Sequence, residues 1–409
     1  MRGRALFTTL LLGLASLLTF SCTSDDKDDS SVQIGVLLPL TGSLSSYGET
    51  SKAALEEAAT RINSNDGTKV ELTFEDTKTD PTIAAERLSA LGDRGVKVVL
   101  GPYASSEVRE AKATADTRGI ILISPLSTSR SLAIADDNVL RFTPDDEQEG
   151  IAMAALAWAD GTRVILPVTR DDEGNKGLQS AMKATFESYG GAFLPTITYA
   201  SDETDLRDEA RSIAAAIKTE HAAGRTVGVY LTAFNEVTSL FRAASTGDPV
   251  LSAVRWYGSD SVALSKELVE DPTAGAFAVV ADYPNPILGL DDAEKPRWGP
   301  VSDKLTSAIG RTPDAFALAA YDALDVAYAA MSRVGAGAGA GVLRAELLAA
   351  ASGHEGLTGS TILNAAGDRA SANYDFWSVC SRDGSLTWVR SAIYTSAATG
   401  GQAVRQEAC

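Results

Sequence analysis

From Val32 onward, short runs of β-branched and other apolar residues alternate with longer Ala/Leu/Glu-rich stretches. This alternation constrains the fold more than any other feature of the chain, because period-2 and period-3.6 segments pack in few ways. Strands are expected over residues 32–38, 69–75, 96–100, 120–124, 139–142, 163–168, 193–199, 227–231, 254–257 and 277–280. Helices are expected between them, over 47–64, 82–92, 106–117, 148–159, 176–189, 205–219 and 236–244. In the first helix Ala54, Ala58 and Ile62 recur on one face, while Lys52, Glu56 and Glu57 fall elsewhere on the wheel. Near-continuous apolar strands, each followed by a helix, imply an α/β protein with parallel, doubly wound sheets. About ten strands exceed what one such sheet usually holds. A chain of 409 residues also outgrows a single core, which stops growing near roughly 250–300 residues. Two lobes are therefore expected.

Charge and residue usage narrow the partners. With 36 Lys+Arg against 54 Asp+Glu the formal charge is −18. Nucleic acid is excluded, since phosphate binding draws on clustered cations. His221 and His354 stand far apart and alone, which excludes a His-based metal site. There is no Gly-x-Ser-x-Gly elbow, no Gly-Lys-Ser/Thr phosphate loop and no Cys-x-x-Cys. The alternating Gly/Ala run at 335–341 lacks nucleotide-loop spacing and a preceding strand. It reads as a connector before a helix at 342–351. Nothing assembles a nucleophile, base or metal, so the chain reads as a non-enzyme without a cofactor.

The first thirty residues set the compartment. Arg2 and Arg4 precede an apolar run from Leu6 to Phe20, too short to span a roughly 30 Å hydrocarbon core. A basic start, a short apolar stretch and Ser21 before Cys22 read as a secretory signal over 1–21. Leu18-Thr19-Phe20-Ser21-Cys22 looks like a lipobox, with Thr19 and Phe20 departing from the usual residues. The polar stretch at 22–31 has too little apolar content to pack and suits a tether behind an acylated Cys22. In an oxidising compartment Cys380 and Cys409 then remain as one disulfide pair. Such a bridge would add about 3–4 kcal/mol and staple a Gly/Ser/Ala-rich tail.

In doubly wound sheets ligands sit beyond the carboxyl ends of the strands. Three loops there stand out: 39–49, 101–107 and 125–131. Gly101-Pro102-Tyr103-Ala104-Ser105-Ser106 follows a strand and opens a helix that Ser105 or Ser106 can cap. A helix start offers free N–H groups and a positive dipole end, suited to a small anion. Ser124-Pro125-Leu126-Ser127-Thr128-Ser129 sets hydroxyl residues at the next strand end. Together the two loops would clamp an anion from two sides; singly, their Ser and Thr serve equally well as turn formers.

These residues also carry a resemblance. Ile34-Gly35-Val36-Leu37-Leu38-Pro39-Leu40-Thr41-Gly42 with Tyr47-Gly48 resembles the start of bacterial substrate-binding proteins for branched-chain amino acids. Val99-Leu100-Gly101-Pro102, Ser124-Pro125-Leu126-Ser127-Thr128, Trp256-Tyr257-Gly258-Ser259-Asp260, Asp314-Ala315-Phe316 and Gly356-Leu357-Thr358-Gly359 follow in that family's order. The resemblance implies a type I periplasmic binding protein: two Rossmann-like lobes joined by three crossover strands. Lobe one would hold residues 31–144 and 281–374, and lobe two 145–280 and 375–409. It implies a monomer that captures an amino acid or related amide in the cleft and hands it to ABC permease subunits. A membrane-tethered sensor is the alternative, and a surface lipoprotein that lost its ligand a third.

By the same resemblance Ser105 and Thr128, in the loop that also carries Ser127, would hold a ligand carboxylate. The Leu126 carbonyl, the Thr128 hydroxyl and the Asp260 carboxylate would receive its ammonium. Tyr47, Phe234 and Phe316 would wall the side-chain space. Two departures bear on the ligand. Asp171-Asp172-Glu173-Gly174-Asn175-Lys176 stands where a Tyr-Gly pair is common, and Asp260 where Glu is frequent. The acidic run at 171–173 either faces a cationic substrate or is a solvated loop.

Overall fold

The computed structural model describes residues 31–65, 67–335, 337–370, 372–396 and 401–406. The expected signal, Cys22 and Cys409 lie outside the described residues.

The first sheet contains β1 (Val32–Leu38), β2 (Val70–Asp76), β3 (Val98–Leu100), β4 (Ile121–Ser124) and β5 (Val139–Arg141). Their spatial order is β2-β1-β3-β4-β5 and every pair is parallel. β1 runs outward to β2, and the chain then returns to β3 on the other side of β1. That reversal opens a crevice at the carboxyl ends of β1 and β3. Helices α1 (Ser45–Asn63), α2 (Pro81–Asp93) and α3 (Ser105–Arg118) make the connections.

After β5 the chain enters α4 (Asp146–Ala159) and a second parallel sheet. Its strands are β6 (Val164–Arg170), β7 (Ala192–Phe193), β8 (Ile197–Tyr199), β9 (Gly228–Thr232) and β10 (Trp256–Tyr257). The order is β10-β9-β6-β7, and β8 also pairs with β6. Helices α5 (Glu173–Ser188), α6 (Arg207–Ala222) and α7 (Val237–Thr246) lie between these strands, and α8 (Lys266–Glu270) and α9 (Pro272–Val280) follow them. The strands β6 and β9 are buried at every position, as their unbroken apolar runs require.

Two expectations are corrected here. The apolar run at 277–280 is the last turn of α9, not a strand. Asp271 caps that helix, accepting from the Thr273 and Ala274 amides at 3.0 and 2.8 Å, and Pro272 starts it. The single strand expected over 193–199 is two, because Pro195 between them has no N–H for the ladder.

The chain then returns through β11 (Asn285–Leu288) to α10 (Lys295–Ile309), which packs against α1, and to α11 (Ala315–Val334) and α12 (Ala340–Ser352), which pack on the first sheet. The Ala-rich α11 is buried along most of its length. Its Asp322 accepts from the Leu357 and Thr358 amides at 2.7 and 2.9 Å, fixing the turn between β12 (Glu355–Gly356) and β13 (Gly359–Ser360). A Cβ at Gly356 would lie 2.3 Å from the Asp322 carboxyl, so only glycine fits there.

The tail forms β14 (Tyr374–Arg382), β15 (Ser385–Thr395) and β16 (Gln402–Arg405), an antiparallel sheet in the order β11-β14-β15-β16. Phe376, Ala392 and Tyr394 pack against Ala152 of α4 and Phe186 of α5. The tail is thus seated by apolar contacts, and Cys380 is buried within β14. The chain crosses between the two sheets three times: after β5, through β11 and into β14. This is the type I periplasmic binding protein fold.

Candidate functional site

At the end of β3, Gly101 has φ +98°, and a Cβ there would lie 2.1 Å from the Leu37 carbonyl. Glycine lets this turn meet β1. The expectation that Ser105 or Ser106 caps α3 is corrected: Ala104 holds the cap position. Its amide donates to Glu107 Oε2 at 2.8 Å. Ser105 Oγ is therefore free to face the neighbouring loop, where it accepts from Ser127 Oγ at 3.0 Å and the Ser129 amide at 3.2 Å. Ser124 Oγ donates to the Pro102 carbonyl at 2.6 Å and accepts from the Ser127 amide at 3.0 Å.

The two hydroxyl-rich loops are thus one structure at the positive end of α3. Beneath them Arg141, fully buried, donates from Nη1 to the Ser129 carbonyl at 2.7 Å and from Nε to Asp368 Oδ1 at 2.5 Å. The buried guanidinium ties up a loop carbonyl, and Asp368 balances its charge. Hydroxyls gathered at a helix start suit a small anion.

Tyr47, Leu126, Phe234 and Phe316 share one apolar cluster. The rings of Tyr47 and Phe316 meet edge-on at 5.9 Å. The Tyr47 hydroxyl lies 2.9 Å from the Asp260 carbonyl and 2.6 Å from that of Ala263, donating its proton between them. On the far side Arg170 lies over the Phe234 ring at 4.6 Å. Arg170 also pairs with Asp172 and Glu236, at 2.8 and 3.1 Å.

The acidic run at 171–173 is engaged by the protein itself. Asp171 pairs with Lys176 at 2.6 Å, and Asp172 caps α5 through the Asn175 amide at 3.0 Å. Glu173 reaches Arg109 of α3 at 2.5 Å.

Asp260 supplies the opposite pole. It is buried; Oδ1 accepts from Ser261 Oγ at 2.8 Å, and Oδ2 has no partner. Its amide donates to Glu149 Oε1 at 3.2 Å. Glu149 and Asp146 both project from the first turn of α4 and are buried. Burial raises all three carboxyls; neighbouring negative charge adds to the rise of Asp146, to about 8, and of Glu149, well above the carboxylate range. The Tyr230 hydroxyl, also without a partner, feels the charges of all three. A dry site with this many acceptors suits a positive group that donates hydrogen bonds. Among the described residues no group of three or more His, Cys, Asp or Glu is set to hold a metal ion.

Arg141, Asp146 and Glu149 escape a reading of the sequence alone. A signal was present in α4: Asp146, Glu149, Met153 and Ala157 fall on one helical face, so the two acids share the face of buried apolar residues.

The lobes touch on both rims of the cleft. On one rim Lys266 pairs with Glu49 at 2.8 Å and its amide donates to Ser46 Oγ at 3.1 Å. On the other, Glu173 accepts from Arg109 at 2.5 Å and from Ser129 Oγ at 3.2 Å. A Cβ at Gly174 would lie 3.4 Å from Ser105 Oγ, so the second lobe closes directly over the anion end.

A family model described as periplasmic binding protein matches residues 31–382. The chain belongs to this family. The members are solute-binding proteins rather than enzymes, and the family name places them outside the cytoplasm. An uncharacterized protein of Methanocaldococcus jannaschii is 28% identical over 379 residues, 87% of this binding protein and 89% of the relative. Two solved structures share the fold. The branched-chain amino acid transporter substrate-binding protein LivJ of Streptococcus pneumoniae, in complex with isoleucine, is 19% identical. Its TM-score is 0.71, over 92% of this chain and 100% of that one. An ABC transporter solute-binding protein of R. palustris, in complex with benzoate, is 18% identical with TM-score 0.73, over 93% and 99%.

Proposed function

We propose that this binding protein is a lipid-anchored extracytoplasmic receptor that closes on one amino-acid-like solute and delivers it to an ABC importer. The observation that carries the reading is the opposition of two poles across one apolar cluster. The Ser105 and Ser127 hydroxyls meet at a helix start, with Thr128 next in the chain, and Asp260 stands with a buried carboxylate oxygen that no donor among the described residues reaches. Ser105, Thr128 and local amides take the carboxylate. Asp260, with the Leu126 carbonyl and Thr128 hydroxyl, takes the ammonium. Tyr47, Phe234 and Phe316 surround the side chain.

The cation pole separates this cleft from one that binds an aromatic acid such as benzoate. A ligand without a positive group offers the buried Asp260 carboxylate no counter-charge. Lobe closure by hinge motion completes the site. Cys22 carries the lipid, residues 23–31 form the tether, and Cys380 pairs with Cys409. Capture serves import rather than signalling, and the receptor acts as a monomer.

A thermal-shift screen of the mature protein against α-amino acids, amino-acid amides and benzoate tests the reading. At about 100 times its dissociation constant the ligand stabilises by roughly 2.7 kcal/mol. A shift with an α-amino acid and none with benzoate is expected; no shift with any zwitterion would refute it. The anchor is tested by mass, since Cys22→Ser is expected to yield an unacylated protein. Uptake of the same solute into vesicles carrying the permease separates import from sensing.

A further inference from the structure

The ammonium pole holds one carboxyl group more than a single ammonium needs. Glu149 accepts from the Asp260 amide through Oε1, and its carboxyl lies within hydrogen-bond reach of the Asp260 carboxyl; both side chains are buried, and neither enters an ion pair among the described residues. Two buried carboxyls in contact do not both ionise. We propose that Glu149 and Asp260 share one proton in the ligand-free cleft, and that a ligand's primary ammonium takes its place. The proton leaves to solvent as the ligand binds. Binding then reads: protonated pair plus zwitterion gives doubly ionised pair with ammonium, plus one proton released.

This rests on the amino-acid reading above and adds a specificity residue to it. A primary ammonium has three N–H donors. Once the shared proton has left, Asp260 Oδ2 has no other donor among the described residues, and Glu149 adds a charged acceptor beside it. A quaternary ammonium of equal charge donates nothing and would leave both carboxylates without hydrogen bonds. The site therefore selects primary ammonium compounds over their N-methylated counterparts.

The surroundings keep the proton in place. Asp146 on α4 faces the pair and adds negative charge, with Asp145 further off. Tyr230 on β9, Tyr374 on β14 and Tyr47 on α1 face it with neutral hydroxyls. Arg141 on β5 acts on Asp146 and is paired with Asp368. Burial and these like charges push Glu149 upward, which is the direction a shared proton requires.

The test has two arms. Carbon-13 NMR titration of side-chain carboxyls is run on the ligand-free wild type, Glu149→Gln and Asp260→Asn. One carboxyl is expected to titrate well above the ordinary carboxylate range in the wild type. In Glu149→Gln, Asp260 is expected to ionise at lower pH. Calorimetry with L-leucine, below the upper midpoint, is run in two buffers of different ionisation enthalpy. Up to about one proton released per leucine is expected in the wild type, and close to none in Glu149→Gln.

Two ordinary, independent titrations in the wild type would overturn the proposal, as would leucine binding without proton release. If leucine gives no heat, the calorimetry is repeated with the amino acid that shifts the melting temperature. If no amino acid does so, the functional reading fails and the ammonium exchange with it. The NMR arm separately decides whether the pair shares a proton.

Discussion

The Tyr47 hydroxyl, on the first helix of lobe one, lies 2.9 Å from the main-chain oxygen of Asp260 in lobe two. The same side chain stacks edge-on against Phe316. One residue thus walls the side-chain space and grips the loop that presents the carboxylate. Under the proposed function, closure and ligand recognition are coupled at this contact.

Tyr47→Phe keeps the ring and removes the grip. A neutral hydrogen bond contributes about 1 kcal/mol, so affinity for the captured amino acid is expected to fall about fivefold. The loss should appear mainly as faster dissociation in stopped-flow kinetics, because the contact forms on closure. An unchanged off-rate would show that the contact plays no part in holding the ligand.

Asp368→Asn leaves the Arg141 guanidinium buried without its counter-charge. Breaking a buried pair from one side costs about 3–5 kcal/mol. Urea unfolding is expected to show a lower midpoint with an unchanged slope. A midpoint within error of the wild type would mean that the Ser127 and Ser129 carbonyls alone satisfy Arg141.

Much of the fold is legible along the chain because its strands are buried on both faces. Runs such as Val164–Arg170 then need no partner to be recognised. The run at 277–280 misleads because Phe, Val and Val suit either state, and the decisive Asp271-Pro272 start lies six residues upstream. The tail reads as frayed by composition, yet Ser385–Thr395 alternates in the manner of a half-buried strand. At the site, Ser105, Thr128 and Asp260 stand in recognisable strand-end motifs. Arg141 does not, because its partner Asp368 is 227 positions away. Glu149 is hidden for the same reason, since only Asp260, 111 positions on, makes it part of the cleft.

Stability should depend on pH in a direction set by buried acids. Burial raises Glu107 to about 7 and Asp146 to about 8, above their unfolded values of about 4.5 and 3.8. Between those limits the native state binds more protons than the unfolded chain, so stability falls as pH rises. Glu49, Asp76 and Asp271 are held below their ordinary values, so the stability they contribute is lost only under stronger acid. The melting temperature of the ligand-free protein is therefore expected to decline from about pH 5 to pH 8. Asp146→Asn should flatten the decline, and Glu107→Gln should flatten its lower half. A level profile across this range in the wild type would contradict the burial of these groups as acids.

The central claim is that the cleft closes on a zwitterion with its ammonium at Asp260. Isothermal titration of the mature protein with the amino acid identified by thermal shift, compared with Asp260→Ala, tests it most directly. Removing a charged hydrogen bond of about 1.5–3 kcal/mol predicts binding weakened about tenfold to a hundredfold, with benzoate silent on both proteins. Equal affinity in Asp260→Ala, or saturable binding of benzoate in place of any amino acid, would contradict it.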